Sequence, residues 1–458
     1  MTDESDQGER RLGELETREM GVEAAPKQVV RRGDTFEAFR YRDYSLFWSG
    51  ALISNIGTWM QAAVLSIVVY SFRGSELDLG LVQFVAGIPT LFLAVPAGAI
   101  ADRFNRRLLV SVAQAALMVQ AAAFAVLYGM GRLSPEHAIE GLAWVAGLGL
   151  IGGVLTALTF PAWQAMLPDL VPKPTLLNAI ALNSAQFQSA RMLGPLAASG
   201  LLLLGASIGG IFWVNAVSFL FVIGAVLIVR LRYAVPHPPR PREPAWATLT
   251  AGVRYARENR VVGLLIVSTA ILTVFGMPYM MLVPAVADKA LGFPHGTTMN
   301  ARVATYLMAA NGFGAVFGAL VVASLPKTVR RESLLRFTLL ATALMLIAYS
   351  FSRSIYLSLL FSALAGAAVL STNSLVNTSI QSAAPPQLRG RVVALFIMAF
   401  LGIMPISAVV FGPLGQAVGP TNAILGGACV LLVWSLVLIV RPKLLLTDAQ
   451  IAQDAGAA

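Results

Sequence analysis

The chain contains twelve apolar runs, each long enough to cross a lipid bilayer as a helix. A spanning helix needs about 20 mainly apolar residues, because the hydrocarbon core is about 30 Å thick. Only 12% of the 458 residues are charged, about half the share in a water-soluble domain. We therefore expect an all-α integral membrane protein. Its predicted spans, numbered 1 to 12, cover residues 44–71, 77–101, 107–129, 141–163, 176–204, 208–230, 261–287, 301–324, 334–352, 355–380, 391–416 and 421–441.

Residue types that other function classes require are scarce. The one cysteine, Cys429, excludes an intrachain disulfide, and the three histidines fall in predicted loops, so we expect no metal site. No set of His, Cys or carboxylate residues lies inside the spans, which argues against an intramembrane enzyme. No Walker A loop is present for an ATPase. We expect neither a cofactor nor catalytic residues.

The Lys and Arg residues set the predicted orientation. With both termini in the cytoplasm, 27 of the 33 lie on the cytoplasmic side and 5 outside, and only Arg191 lies deep in a span. Positive residues resist translocation, so this asymmetry selects the orientation. It also explains the formal charge of +10 without a nucleic-acid partner. We expect a multi-pass protein of the bacterial inner membrane.

Two related halves are predicted from residues that match at an offset of 217 to 220 positions. The pattern indicates two pseudo-symmetric six-helix bundles, 36–230 and 261–441, related by an axis along the membrane normal. Residues 231–260 are predicted to form a cytoplasmic central loop with an amphipathic helix. We expect cytoplasmic tails at 1–35, which is disordered, and at 442–458. The matches are Gly57 with Gly276, Gly98 with Gly318, Gln164 with Gln381, and Gly194-Pro195 with Gly412-Pro413.

The connection between spans 2 and 3 carries a family motif. The run Gly98-Ala-Ile-Ala-Asp-Arg-Phe-Asn-Arg-Arg107 resembles the loop 2–3 signature of the major facilitator superfamily. Leu46-Phe47-Trp48, Leu79-Gly80-Leu81 and Gly194-Pro195 are similar to the branch that contains the enterobactin exporter and related transmembrane secretion effectors. The resemblance covers residues 36–441. It implies the major facilitator fold and transport by alternating access.

The same connection is a candidate gate. Asp102 ends span 2 among arginines, and a carboxylate there can lie against the positive N-terminus of a neighbouring helix. By resemblance that helix is span 11, and the contact would close the cytoplasmic side; the alternative is a charge cluster that only enforces topology. Asn105 stands where such loops often have glycine, so we expect a left-handed backbone. The second half lacks the acidic residue after Gly318. The gating residues are Gly98, Asp102, Arg103, Asn105, Arg106, Arg107 and Arg391.

Arg191 is costly at its position in span 5. An arginine near the bilayer centre costs roughly 2.5–3.5 kcal/mol, so it should face protein, water or an anionic partner. Ser184, Gln188 and Arg191 share one helical face by their spacing. The residue is predicted either to bind an anionic or polar group or to join an inter-helix hydrogen-bond network. The alternative is that its side chain extends to the outer interface.

A mixed aromatic and amide lining is predicted for a central cavity. By resemblance spans 1, 4, 7 and 10 surround it, and such a lining suits a sizeable, partly apolar solute. The alternative for each amide is a bond between helices. The predicted cavity residues are Asn55, Trp59, Gln188, Arg191, Thr273, Tyr279, Asn373 and Asn377.

Gly194-Pro195 and Gly412-Pro413 are predicted helix kinks, because proline removes a helical hydrogen bond. Gly194-Pro195 is also similar to the end of a glycine-rich pattern in exporters of the superfamily, which favours export.

We expect a monomeric, secondary-active transporter that exports a small amphipathic metabolite, siderophore or drug. The alternatives are a lipid or lysophospholipid flippase, which would need a side opening between helices, and a non-transporting membrane sensor. No carboxylate lies deep in a span. Proton coupling through a rim carboxylate such as Asp43 or Asp288, and no coupling at all, therefore both stay open.

The predicted orientation is tested by cysteine labelling. Arg132→Cys and Arg330→Cys, each in a Cys429→Ser chain, should react with a membrane-impermeant maleimide from opposite sides of the membrane. Arg73→Cys serves as a second outside marker. Labelling of positions 132 and 330 from the same side would contradict the twelve-span topology.

Overall fold

The computed structural model describes residues 34–233, 245–325, 331–385 and 388–445. Within helices, the side chains of 34–35, 94–96, 98–103, 245–249, 323, 389 and 401 also lie outside the description. Residues from Ala38 onward form one compact unit. Of the preceding unit, Met1–Glu37, only the last four residues are described, in the short helical turn Asp34–Arg40. The predicted disorder of the N-terminal tail and the C-terminal tail beyond 445 fall outside the described residues.

All regular structure in the described residues is helical. The first half contains Arg42–Arg73, Glu76–Arg103, Arg106–Gly129, Ala138–Leu170, Leu176–Leu203 and Ile208–Ile228 as spans 1 to 6. Ala245–Glu258 is the predicted amphipathic helix. The second half contains Arg260–Ile271 continuing in short pieces to Lys289, then Thr298–Ser324, Arg331–Phe351, Ile355–Ala383, Arg389–Ile397 continuing to Val418, and Pro420–Val440 as spans 7 to 12.

Among the described helices, eleven are long and apolar enough to cross a membrane. The helix that falls short is span 5, Leu176–Leu203, whose middle carries Gln186, Gln188 and Arg191. It packs between spans 1 and 8, so protein rather than lipid surrounds much of it. The all-α membrane fold is confirmed. The polar span 5 is one of the helices through which the two halves contact each other.

The same packing pattern occurs twice. In the first half span 2 packs on span 4, span 3 on span 6 and span 3 on span 4; in the second half span 8 packs on span 10, span 9 on span 12 and span 9 on span 10. These pairs correspond under the predicted repeat. Two seams, span 2 with span 11 and span 5 with span 8, join the halves. The exact residue at which one half gives way to the other stays a prediction, because 234–244 is outside the description.

Glycines allow the seams to be tight. An added Cβ at Gly80 would lie 2.8 Å from the Cα of Gly412, and one at Gly312 would lie 3.0 Å from the Cβ of Met192. Helix backbones therefore touch at both seams. Close backbone approach through small residues is how helices associate in lipid, where little hydrophobic force drives them together.

Spans 7 and 11 are interrupted, and both interruptions precede a proline. The π-helical turns Leu272–Gly276 and Met398–Gly402 are followed by helices that begin near Pro278 and Pro405. Proline has no N–H to donate and its ring crowds the preceding turn, so the hydrogen-bond register shifts there. At the predicted kinks, by contrast, the helices run on through Gly194-Pro195 and Gly412-Pro413. Bending at those two pairs stays a prediction.

Asn105 does not have the expected left-handed backbone. Its φ is −60° and its ψ 112°, and its side-chain oxygen accepts from the backbone N–H groups of Arg107 and Leu108. Asparagine is favoured at helix N-caps for this reason. The residue thus begins span 3, and the left-handed expectation is wrong.

Gly314→Ala should destabilise the protein. A Cβ there would overlap the carbonyl oxygen of Ala363 on span 10, so spans 8 and 10 would have to separate. Such overpacking costs roughly 1–3 kcal/mol. We expect a lower midpoint of thermal unfolding in detergent, measured by monodisperse recovery after heating. Gly147→Ala, where an added Cβ meets nothing within 4 Å, is the matched control. Equal midpoints for the two variants would contradict the close packing.

Candidate transport path and central site

An ion pair between a half-exposed lysine and a buried glutamate joins the two halves at the predicted outer end. Lys289 Nζ, at the end of span 7, lies 2.6 Å from Glu76 Oε1, at the start of span 2. The Glu76 side chain is fully buried, and its backbone N–H donates to Gln416 Oε1 at 3.1 Å. Removing one partner from a buried pair leaves an uncompensated charge. The contact therefore favours the closed outer end.

A second cluster lies beside this pair. Asp288 Oδ2 accepts from the Tyr70 hydroxyl at 3.1 Å and lies 2.9 Å from His295 Nδ1. The His295 ring packs against Tyr70 with centroids 5.7 Å apart and against Gly74. Tyr70 and Gly74 belong to the first half, Asp288 and His295 to the second. We call Tyr70, Glu76, Asp288, Lys289 and His295 the outer latch.

The outer latch was missed by sequence reasoning, although one signal for it exists. Tyr70 and Asp288 are 218 positions apart, which is the offset of the repeat. Equivalent positions can touch only where they lie close to the axis that relates the halves. The repeat alone does not say which equivalent positions lie there, so the contact needed the structure.

At mid-depth the first half presents a cation beside a pair of aromatic rings. Arg191 lies about 22 Å along span 5 from Leu176 at 1.5 Å per residue. Its guanidinium carbon lies 5.6 Å from the Trp59 ring centroid, within range of a cation–π interaction. The Phe187 ring meets the Trp59 ring edge-on at 5.8 Å, and 46% of the Phe187 surface is exposed. Arg191 itself is half-buried.

The second half faces this cluster with neutral polar groups. Asn311 of span 8 donates to the hydroxyl of Tyr279 of span 7. Asn311 also donates to the Ser362 carbonyl at 3.2 Å. The adjacent Gly312 packs on Met192. The structure thus brings Trp59, Arg191 and Tyr279 together at the interface of the halves.

The other predicted cavity residues divide into two groups. Asn55 and Gln188 are half-buried on spans 1 and 5, where they add to the first half's polar face. Thr273 is buried with its hydroxyl unpartnered among the described residues, as is the side-chain oxygen of Asn373. Asn377 accepts from Gln381 one turn further along span 10 at 3.0 Å, which is an intrahelical bond. These five predicted cavity residues are therefore spread over both halves and do not meet at one point.

Polar side chains are exposed in the inner half of several spans. Gln164 on span 4 and Gln381 on span 10, which match under the repeat, are both exposed. Amides are costly against lipid, so exposed amides at this depth indicate water. Together with the closed outer end they indicate a path that opens to the predicted inner side. Other polar residues exposed in the inner halves of their spans include Ser49, Thr156, Ser184, Thr378 and Ser382.

Two arginines of the family motif hold the inner end of the first half. Arg106 donates to the Ala165 carbonyl at 3.2 Å and lies 3.5 Å from Asp169, both on span 4. Arg107 donates to the Val226 carbonyl at 2.6 Å on span 6. The side chains of Gly98, Asp102 and Arg103 lie outside the description, so the clamp on span 11 stays a prediction. The backbone of Arg391 lies against Gly252 of the amphipathic helix.

No group of three or more metal-ligating side chains occurs among the described residues.

Known proteins resemble the chain over most of its length. The family model described as transmembrane secretion effector matches residues 34–455. The multidrug efflux pump Tap of Mycolicibacterium fortuitum is 26% identical over 86% of this chain and 94% of its own length. The enterobactin exporter EntS of Escherichia coli O1:K1 / APEC is 25% identical over 86% and 90%.

Solved structures share the fold at low sequence identity. A POT family transporter in complex with 5-aminolevulinic acid has a TM-score of 0.69 at 12% identity, covering 88% of this chain and 96% of that one. The D323A mutant of the nucleoside transporter NupG has a TM-score of 0.66 at 10% identity, covering 86% and 99%. The likeness establishes the architecture.

Glu76→Gln should release the outer latch. The change removes the charge that pairs with Lys289, whose side chain is 40% exposed, so we expect the closed state to lose about 1 kcal/mol, or about fivefold in the open-to-closed ratio. Ala408→Cys in the Cys429→Ser chain reports the change, because Ala408 is buried beside Gly80 on the seam. Its reaction with impermeant maleimide from outside should accelerate severalfold.

The matched control is Asp78→Asn. It breaks the ion pair between Asp78 and Arg73, 2.7 Å apart, which lies wholly within the first half. Equal acceleration by both substitutions, or none by Glu76→Gln, would show that the pair between the halves does not hold the outer end closed.

Proposed function

Since the chain belongs to the transmembrane secretion effector family, we propose that it exports a small amphipathic metabolite, siderophore or drug by alternating access. It is a multi-pass membrane transporter and not an enzyme. One observation carries the proposal: the cation and aromatic rings between the halves lie below a closed outer end and beside exposed amides toward the inner end. Alternating access requires such a site, reachable from one side at a time.

Outward direction is supported by two independent points. The relatives over most of the chain are called an efflux pump and an exporter. The excess of Lys and Arg predicts that the inner end faces the cytoplasm, which is the side from which an exported solute would enter the site. We propose a bacterial inner-membrane location with both termini cytoplasmic, and a monomer, because one chain supplies both halves of the path.

The family motif is proposed to act as the inner gate. Arg106 and Arg107 tie the start of span 3 to spans 4 and 6, so that the end of span 2 is held on a rigid base. From that base Asp102 would lie against the start of span 11 when the inner side closes. The opening of the outer latch and the closing of this contact would then alternate.

Asp288 is the proposed proton carrier if the transporter is secondary-active. The other rim candidate, Asp43, lies 3.1 Å from Arg232 and accepts from the Arg230 N–H, contacts that stay within the first half. Asp288 instead bonds Tyr70 across the halves, so its surroundings must change when the outer end opens. A group whose environment alternates can take up and release a proton in step with transport.

A lipid flippase is the second candidate function, because the surface of the helical bundle has a groove between spans 1 and 6. Ile53, Trp213 and Phe221 are among its lining residues, and the groove is apolar. Asn215 donates to Gln61 at 2.8 Å behind it, and Gly57 packs on Ser218 there. Spans 1 and 6 are thus sealed behind the groove, which favours a solute that enters from water.

Transport is tested in everted vesicles from an efflux-deficient bacterium that expresses the chain. With the vesicle interior acidified, we expect severalfold accumulation of at least one solute from a panel of siderophores, antibiotics and biocides. Asp102→Asn at equal membrane abundance should reduce uptake at least tenfold. Asp288→Asn should remove the dependence on the proton gradient.

Asp78→Asn is the control for both variants. Vesicles that accumulate no solute of the panel, or only a fluorescent lysophospholipid, would reject the export proposal in favour of the alternative. Undiminished uptake by Asp102→Asn would reject the gate alone.

A further inference from the structure

Arg191 has no counter-charge among the residues that the structure describes. Among the described residues its guanidinium forms no ion pair and no hydrogen bond. It makes a cation–π contact with the ring of Trp59. The carboxylates of the described spans lie near their ends, as Asp43, Glu76, Asp169 and Asp288 do. A cation held at mid-depth without an anion is unfavourable, because the low dielectric weakens its solvation.

The surrounding neutral groups do not replace the missing anion. Asn311 donates its amide hydrogens to the Tyr279 hydroxyl and the Ser362 carbonyl. The Tyr279 hydroxyl oxygen therefore already accepts a hydrogen bond from Asn311. Trp59 offers only its ring face, and Phe187 only an apolar ring. The donors of the guanidinium edge are therefore left for a group that enters the site.

The fork of an arginine selects planar anions. A guanidinium can bond a carboxylate through two parallel N–H groups, and no described residue accepts a hydrogen bond from those of Arg191. Beside it, the half-exposed Phe187 ring and the Trp59 ring offer a surface for an aromatic group. The Phe187 and Trp59 ring centroids lie 5.8 Å apart, and the guanidinium carbon lies 5.6 Å from the Trp59 centroid, so one small solute can reach both binding elements.

We propose that the central site takes an aromatic carboxylate, whose anionic group pairs with Arg191 while its ring packs on Trp59 and Phe187. This inference rests on the proposed export function for its place in the transport path, and it names the class of solute. The same charge disfavours lipophilic cations, because no described carboxylate pairs with Arg191 to offset the repulsion.

Binding is measured with a matched pair of probes, radiolabelled 1-naphthoate and 1-naphthamide, which share a ring system and differ in charge. The full-length chain in nanodiscs is assayed by scintillation proximity. We expect the wild type to bind the naphthoate at least tenfold more tightly than the amide. Arg191→Gln should remove this preference by weakening the naphthoate alone, and Arg191→Lys should restore part of it.

A second measurement separates ligand binding from a structural role. If Arg191 is an unpaired charge, Arg191→Gln without ligand should unfold at the same or a higher temperature than the wild type, and 1-naphthoate should raise the midpoint of the wild type only. Arg353→Gln removes a positive charge at the outer end, away from the site, and is the control for charge alone.

Several results would overturn the proposal. These are no naphthoate binding to the wild type at millimolar concentration, an unchanged preference in Arg191→Gln, equal weakening of both probes, or a lower unfolding midpoint of Arg191→Gln without ligand. The assay is independent of transport. Naphthoate binding without solute uptake in vesicles would therefore reject the export function and leave the site assignment, whereas uptake without the charge preference would do the reverse.

Discussion

The bilayer as solvent is the constraint on which the rest of the structure depends. Lipid offers polar groups no partners, so amides, hydroxyls and charges must be satisfied by protein or water. This confines the polar residues of the spans to helix contacts such as Gln61 with Asn215, or to the space between the halves. The most polar helix, span 5, accordingly lies at the seam with span 8. Where polar residues remain without partners, as Arg191 does, function is the explanation to test.

Much of the architecture could be predicted because it follows from composition and spacing. Apolar length gave the spans within a few residues, and the repeat gave two halves whose packing pairs correspond. Arg191 could be singled out because a deep cation stands out on an apolar helix, whereas Trp59 was expected in the cavity from the family resemblance. The spans, the repeat and the deep cation depend on local sequence and on lipid, and none of them requires knowledge of which helices meet.

The features that were missed depend on tertiary contacts. The outer latch needs the ends of spans 2 and 7 to be neighbours, which a single sequence does not state. The π-helical turns before Pro278 and Pro405 arise where a proline disturbs a packed helix. The sequence predicted kinks at the Gly-Pro pairs instead. The left-handed backbone expected for Asn105 rested on analogy with glycine, whereas asparagine before a helix can equally well serve as its N-cap.

The contact between Gly80 and Gly412 has a consequence for how this family can diverge. Each glycine faces the other's backbone, so a side chain at either position displaces the opposite helix. A larger residue on one helix can be accommodated only if the other helix of the seam shifts or carries smaller side chains nearby. Substitutions at the two positions should therefore covary among homologues, and drift at one position alone should be rare.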